Sequence, residues 1–137
     1  MTTLFSKCHG GRLLPVDWVY AYSHLGARAL VTAGISGMPC RETPGSLRCS
    51  QTAESQGDSY SVEISYTSTD TGEAHLRMLR HLSRCRMLFI YHDAHDIRRV
   101  SGSPSFPLRL SYSVANGVVS VKLSGRAPWP DPALDLR

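Results

Sequence analysis

The segment His92-Asp93-Ala94-His95-Asp96 gathers the densest set of chemistry-bearing side chains in this 137-residue chain. Imidazoles and carboxylates both bind divalent metals, so a metal-dependent enzyme would draw on His92, Asp93 and His95, with Asp96 as a further carboxylate. The spacing matches no specific metal motif, and the same residues suit a solvated turn between two strands. On the helix that precedes them, His75 and His81 are six positions apart and face different ways, as partly exposed side chains. His81 and Cys85 are four apart and share one face. Two ligands do not complete a site. Cys8, Cys40, Cys49 and Cys85 contain no Cys-x-x-Cys pair, which argues against a zinc knuckle or a redox motif and for reduced, mostly buried thiols.

Other reaction types find still less. There is no Gly-x-Ser-x-Gly elbow for a nucleophilic serine. Gly10-Gly11 and Gly34-x-x-Gly37 lack the lysine and the strand-to-helix setting of a phosphate loop. The expectation is a non-enzyme with no cofactor and no resident metal. Binding has better candidates. Arg77, Arg80 and Arg84 recur at i, i+3 and i+7 on one helical face, and Arg86, Arg98 and Arg99 come from neighbouring elements, a set suited to an acidic partner or to nucleic-acid phosphates. A small nucleic-acid-binding module is therefore an alternative reading, although a net charge of +4 is also what ordinary solubility requires.

The elements that position these residues follow from apolar periodicity. Length and a 42% apolar content indicate one domain spanning residues 1–137. Leu13 to Tyr22 and Ala27 to Thr32 read as two early strands joined by a turn around Ser23 to Gly26. Residues 33–46, rich in Gly and Pro, form an irregular loop fit to reach a partner. Tyr60, Val62, Ile64 and Tyr66 alternate with polar residues, the pattern of a half-buried strand. Asp70 is placed to cap a helix from about Glu73 to Arg84 whose apolar stripe is Ala74, Leu76, Leu79 and Leu82. Met87 to Tyr91 is apolar on both faces and belongs in the middle of a sheet.

Asn116-Gly117 is the strongest two-residue signal for a type I′ hairpin. Counting outward from it pairs Val114 with Val119, Tyr112 with Val121 and Leu110 with Leu123, each pair contributing roughly 0.2–1 kcal/mol. The proline-bearing end, residues 126–137, is expected to lie as an extended tail over the surface or onto a neighbour, with Trp129 available for contact. The fold expected is α+β, mainly an antiparallel β-sandwich or barrel with one packed α-helix. No stretch reaches the roughly 18 apolar residues of a membrane span, and Met1 to Lys7 lack the charge and apolar run of a secretory signal, so no membrane role is expected and the chain should remain in a cytosol-like space.

From about Asp58 onward the layout resembles small virion proteins encoded by prophages of Bacteroidetes, of the tail and neck class. The residues that carry the likeness are the Tyr60–Tyr66 strand, the Leu-rich helix, the Met87–Tyr91 strand, the polar turn, Gly102-Ser103-Pro104 with Pro107, the Asn116-Gly117 hairpin and the proline-bearing end. They span a little over half of the chain, and the His- and Asp-rich turn replaces the Asp-Asn-Gly turn expected there. The resemblance implies a structural or assembly protein made in the bacterial cytoplasm and carried in the virion. Its partners would be other virion subunits and further copies of itself in a ring, near DNA, held through sheet edges and extended arms. Arg77, Arg80, Arg84 and Trp129 are the partner-binding candidates.

Overall fold

A computed structural model describes residues 2–5, 8–34, 37–54 and 59–136. They form one large, mostly antiparallel β-sheet and a single α-helix, the α+β class expected. The strands are β1 (Thr2–Phe5), β2 (His9–Pro15), β3 (Val19–Leu25), β4 (Arg28–Ala33), β5 (Met38–Pro39), β6 (Arg48–Ala53), β7 (Tyr60–Ser68), β8 (Arg86–His92), β9 (Arg98–Ser101), β10 (Leu108–Ala115), β11 (Val118–Ala127) and β12 (Ala133–Leu136). The helix, α1 (Glu73–Leu82), connects β7 to β8. Along the sheet the order is β1-β6-β7-β11-β10-β8-β9-β12-β4-β3, and β2 joins the opposite edge of β8 and carries β5. Among the described residues no helix is long and apolar enough to cross a membrane.

The continuous apolar run at the centre of the chain explains this arrangement. Successive side chains of a strand point to opposite faces, and β8 accordingly feeds two cores. Met87, Phe89 and Tyr91 enter a large cluster with Leu13, Ile64, Tyr66, Leu79 and Leu123. Leu88 and Ile90 enter a smaller one with Leu14, Val31, Val100 and Leu134. Each of these β8 side chains is fully buried and removes roughly 1.5–3 kcal/mol worth of apolar surface from water.

The β10–β11 hairpin has the register read from Asn116-Gly117, with Val114 opposite Val119, Tyr112 opposite Val121 and Leu110 opposite Leu123. Asn116 and Gly117 have φ of 54° and 75°, the left-handed pair that a type I′ turn demands. In β7, Val62, Ile64 and Tyr66 are buried as the alternation requires, between β6 and β11.

Several expectations are corrected. The Leu13–Tyr22 segment is two strands, because Pro15 closes β2 and a 3-10 turn over Val16–Trp18 redirects the chain. The first hairpin turns at Gly26-Ala27, with Leu25 opposite Arg28 and Gly26 at φ 61°. Within the 33–46 loop, Ile35 and Ser36 lie outside the described residues; Gly37 and Cys40 are buried and the segment is tied to the sheet, while Pro39, Arg41, Pro44 and Gly45 are exposed. Met38 pairs with Leu13, the Cys40 amide donates to the Gly11 carbonyl, and the Thr43 amide donates to Thr67. The proline-bearing end is not a surface tail. Beyond the prolines, β12 inserts between β9 and β4, running parallel to β4, and Leu134 is buried in the smaller core. Pro130 and Pro132 precede that strand and so remove no ladder hydrogen bond from it; Arg137 lies outside the described residues.

The helix keeps Leu79 and Leu82 of its expected stripe but buries a different first-turn residue. His75, Leu79 and Leu82 are its buried residues, at i, i+4 and i+7, while Ala74 is exposed. The cap is Gly72, not Asp70, and α1 ends at Leu82. Asp70 instead accepts from the Gly72 amide in a local turn and from Arg41 across 2.9 Å.

Candidate functional site

The polar turn after β8 does not converge on a point. Asp93 is buried and both of its oxygens are engaged: Oδ1 accepts from the amides of His95 and Ile97, and Oδ2 accepts from Arg99 Nε at 2.7 Å. Burial pushes the Asp93 carboxyl upward, but Arg99 and the two amides outweigh it and hold the group below the usual carboxylate range. His92 stacks on His9 with ring centroids 5.3 Å apart, and His9 reaches Asp96 at 3.2 Å on the exposed side. His95 faces solvent. Among the described residues no group of three or more His, Cys, Asp or Glu side chains is placed to hold a metal ion.

The same strand end carries an inward polar network. Tyr91 on β8 donates its hydroxyl to Asp131 Oδ2 at 2.6 Å, the Asp131 amide donates to Gln51 Oε1 on β6, and Arg99 Nη1 donates to the Asp131 carbonyl. Burial pushes the Asp131 carboxyl up to about 6, against the lowering effects of Tyr91 and Arg99. Arg99 therefore ties two acidic positions together instead of joining a surface patch. Beside this network the thiols of Cys8 and Cys49 are hydrogen-bonded. That contact lowers Cys8, while the same contact and burial raise Cys49.

Of the arginine candidates, Arg77 and Arg80 stand on the outer face of α1, and Arg84 lies in the turn that follows it. Arg77, Arg80 and Arg84 are exposed, and Arg77 donates to Glu73 at 2.7 Å one turn back. Such a pair contributes a few tenths of a kcal/mol on a solvated surface. Trp129 is engaged within the chain: its ring stacks on His24 of β3 at 4.1 Å and meets Phe106 edge-on at 5.8 Å. The histidines of α1 differ from expectation. His81 is exposed, but His75 is buried and donates Nδ1–H to the Asp70 carbonyl at 2.7 Å.

At the end of the sheet, β3 pairs with β4 and with no other strand among the described residues. Its sequence, Val19-Tyr20-Ala21-Tyr22-Ser23-His24-Leu25, contains no Lys, Arg, Asp, Glu or Pro. The register shifts between Val19 and Ala21, so Tyr20 sits at an irregularity and Ala21–Leu25 forms the regular stretch. Tyr20 is 76% and Leu25 71% exposed, and Trp18 stands next to them at 37%. Sequence reading marked this segment as a strand but did not identify it as an edge, since an edge is defined by the absence of a neighbour that only the tertiary order reveals. Compared with protein-family models, curated proteins and solved structures, the chain matches none.

Proposed function

We propose that this chain is a non-enzymatic structural subunit, of the virion assembly class that its layout resembles, which joins further copies of itself by pairing the β3 edge. The supporting observation is the character of that edge. A strand with one open side offers a row of backbone donors and acceptors to another chain, and proteins that remain single blunt such edges with lysine, proline or inward charges. Ala21–Leu25 carries none of these, and large apolar side chains stand in water at both ends of β3. Burying Tyr20 and Leu25 at a neighbour would remove apolar surface on the scale of roughly 1.5–3 kcal/mol per side chain. The exposed Arg80 of α1 and Arg84 of the turn after it are the residues this reading assigns to an acidic partner.

Light scattering coupled to size exclusion, run as a concentration series, tests the proposal. Assembly of the parent chain and a monomeric Ser23→Lys/Leu25→Lys variant with unchanged thermal unfolding are expected. A parent that stays monomeric at the highest concentration, or assemblies that the double variant leaves intact, would overturn it.

A further inference from the structure

The packing of β5 against α1 leaves a cavity of about 270 Å3 lined by Met38, Pro39, Arg41, Ala74, His75 and Met78. His75 is the anomaly in it. Its side chain is 98% buried, its Nδ1–H is spent on the Asp70 carbonyl at 2.7 Å, and its Nε2 has no hydrogen-bond partner among the described residues. With Nδ1 donating, the neutral form of the ring carries its lone pair on Nε2. Buried polar atoms are ordinarily hydrogen-bonded, and this nitrogen is an exception.

We propose that His75 Nε2 and the thioethers of Met38 and Met78 form a binding site for a soft monovalent cation, Cu(I). The residues at the cavity select this class. Thioether sulfur is a soft donor that prefers Cu(I) over the hard and borderline divalent ions, and imidazole suits copper as well. A metal-bound histidine characteristically donates its other ring N–H to a backbone carbonyl, which sets its tautomer and orientation, and Asp70 supplies that carbonyl. His75 and Met78 lie three apart on α1 and so share a face, while Met38 comes from β5 opposite. Both methionines are partly exposed, which provides an entry path. The one cationic side chain of the lining, Arg41, is paired with Asp70 at 2.9 Å. A singly charged ion also meets less repulsion there than a divalent one would.

The test is competition for Cu(I) against a colorimetric chelator, under reductant and without oxygen. It uses full-length protein carrying Cys85→Ser, because Cys85 and His81 form a separate sulfur and nitrogen pair at 3.8 Å on the exposed side of the helix. One equivalent of Cu(I) should bind, with affinity falling at least tenfold in Met38→Leu and in Met78→Leu. These swaps nearly conserve volume, and matching urea midpoints would show that the fold is kept. X-ray absorption of the copper-loaded protein should show sulfur and imidazole nitrogen at the metal. Equal affinity in parent and both Leu variants would overturn the assignment, whether the copper is held elsewhere or a water fills the cavity.

Discussion

The hydroxyl of Tyr91 donates to the carboxylate of Asp131 across 2.6 Å in the protein interior, joining the central strand to the segment that leads into β12. Forty residues separate the two in sequence. Removing the hydroxyl leaves a buried acceptor with one partner fewer, so Tyr91→Phe is expected to destabilise the chain by roughly 1–3 kcal/mol although it deletes a single oxygen. Urea unfolding at pH 7 measures this.

Asp131 should also leave a mark on the pH dependence. Burial raises its carboxyl to about 6 in the folded chain, from an ordinary value of 3.8. Below pH 4 both states hold the proton. As pH rises the unfolded chain releases it first, so the contribution that favours folding is lost progressively up to and through pH 6. The total is about 3 kcal/mol, on the basis of 1.36 kcal/mol per pKa unit. Asp131→Asn keeps an acceptor for Tyr91 but cannot ionise. The variant should therefore gain on the parent by an amount that grows between pH 4 and pH 7 in paired urea titrations.

The turn after β8 separates an architectural carboxylate from its decorative neighbours. Asp93→Ala removes the acceptor of two backbone amides and of Arg99 Nε at a buried site, and should cost about 1–3 kcal/mol, with Arg99 keeping its bond to the Asp131 carbonyl. His95→Ala, on the exposed side, should stay within about 0.5 kcal/mol of the parent. Thermal unfolding of the two variants side by side checks the contrast.

Two glycines predict opposite sensitivities to crowding. A Cβ at Gly125 would stand 2.9 Å from the Pro107 carbonyl oxygen and 2.9 Å from Leu108 Cδ2, so Gly125→Ala should cost about 1–3 kcal/mol through overpacking. At Gly117 nothing lies within 4 Å and only the φ of 75° resists a side chain. There Gly117→Ala should cost about 1 kcal/mol, and urea midpoints would rank the pair.

Local chemistry made much of the fold legible in the sequence. Asn116-Gly117 set the hairpin register, the Tyr60–Tyr66 alternation set a strand face, and the unbroken run Met87–Tyr91 marked the strand that serves two cores. What stayed hidden depended on distant partners. Asp131 lies between two prolines, a setting that reads as exposed chain, and its burial follows only from the approach of Tyr91, Gln51 and Arg99. His75 reads as partly exposed when the helical stripe is counted from Ala74, whereas the buried line runs His75, Leu79 and Leu82 and leaves Ala74 in solvent. The β3 edge was invisible for a related reason: β12, which follows it by more than a hundred residues, covers β4 and leaves β3 outermost.

The most direct measurement of whether β3 is the contact between copies is hydrogen exchange of the Ala21–Leu25 amides at low and at high protein concentration. Slowing of exchange in this strand as concentration rises, with α1 unchanged, is the expected result. Exchange that is fast and identical at both concentrations, while the chain is assembled by light scattering, would contradict the edge-pairing account.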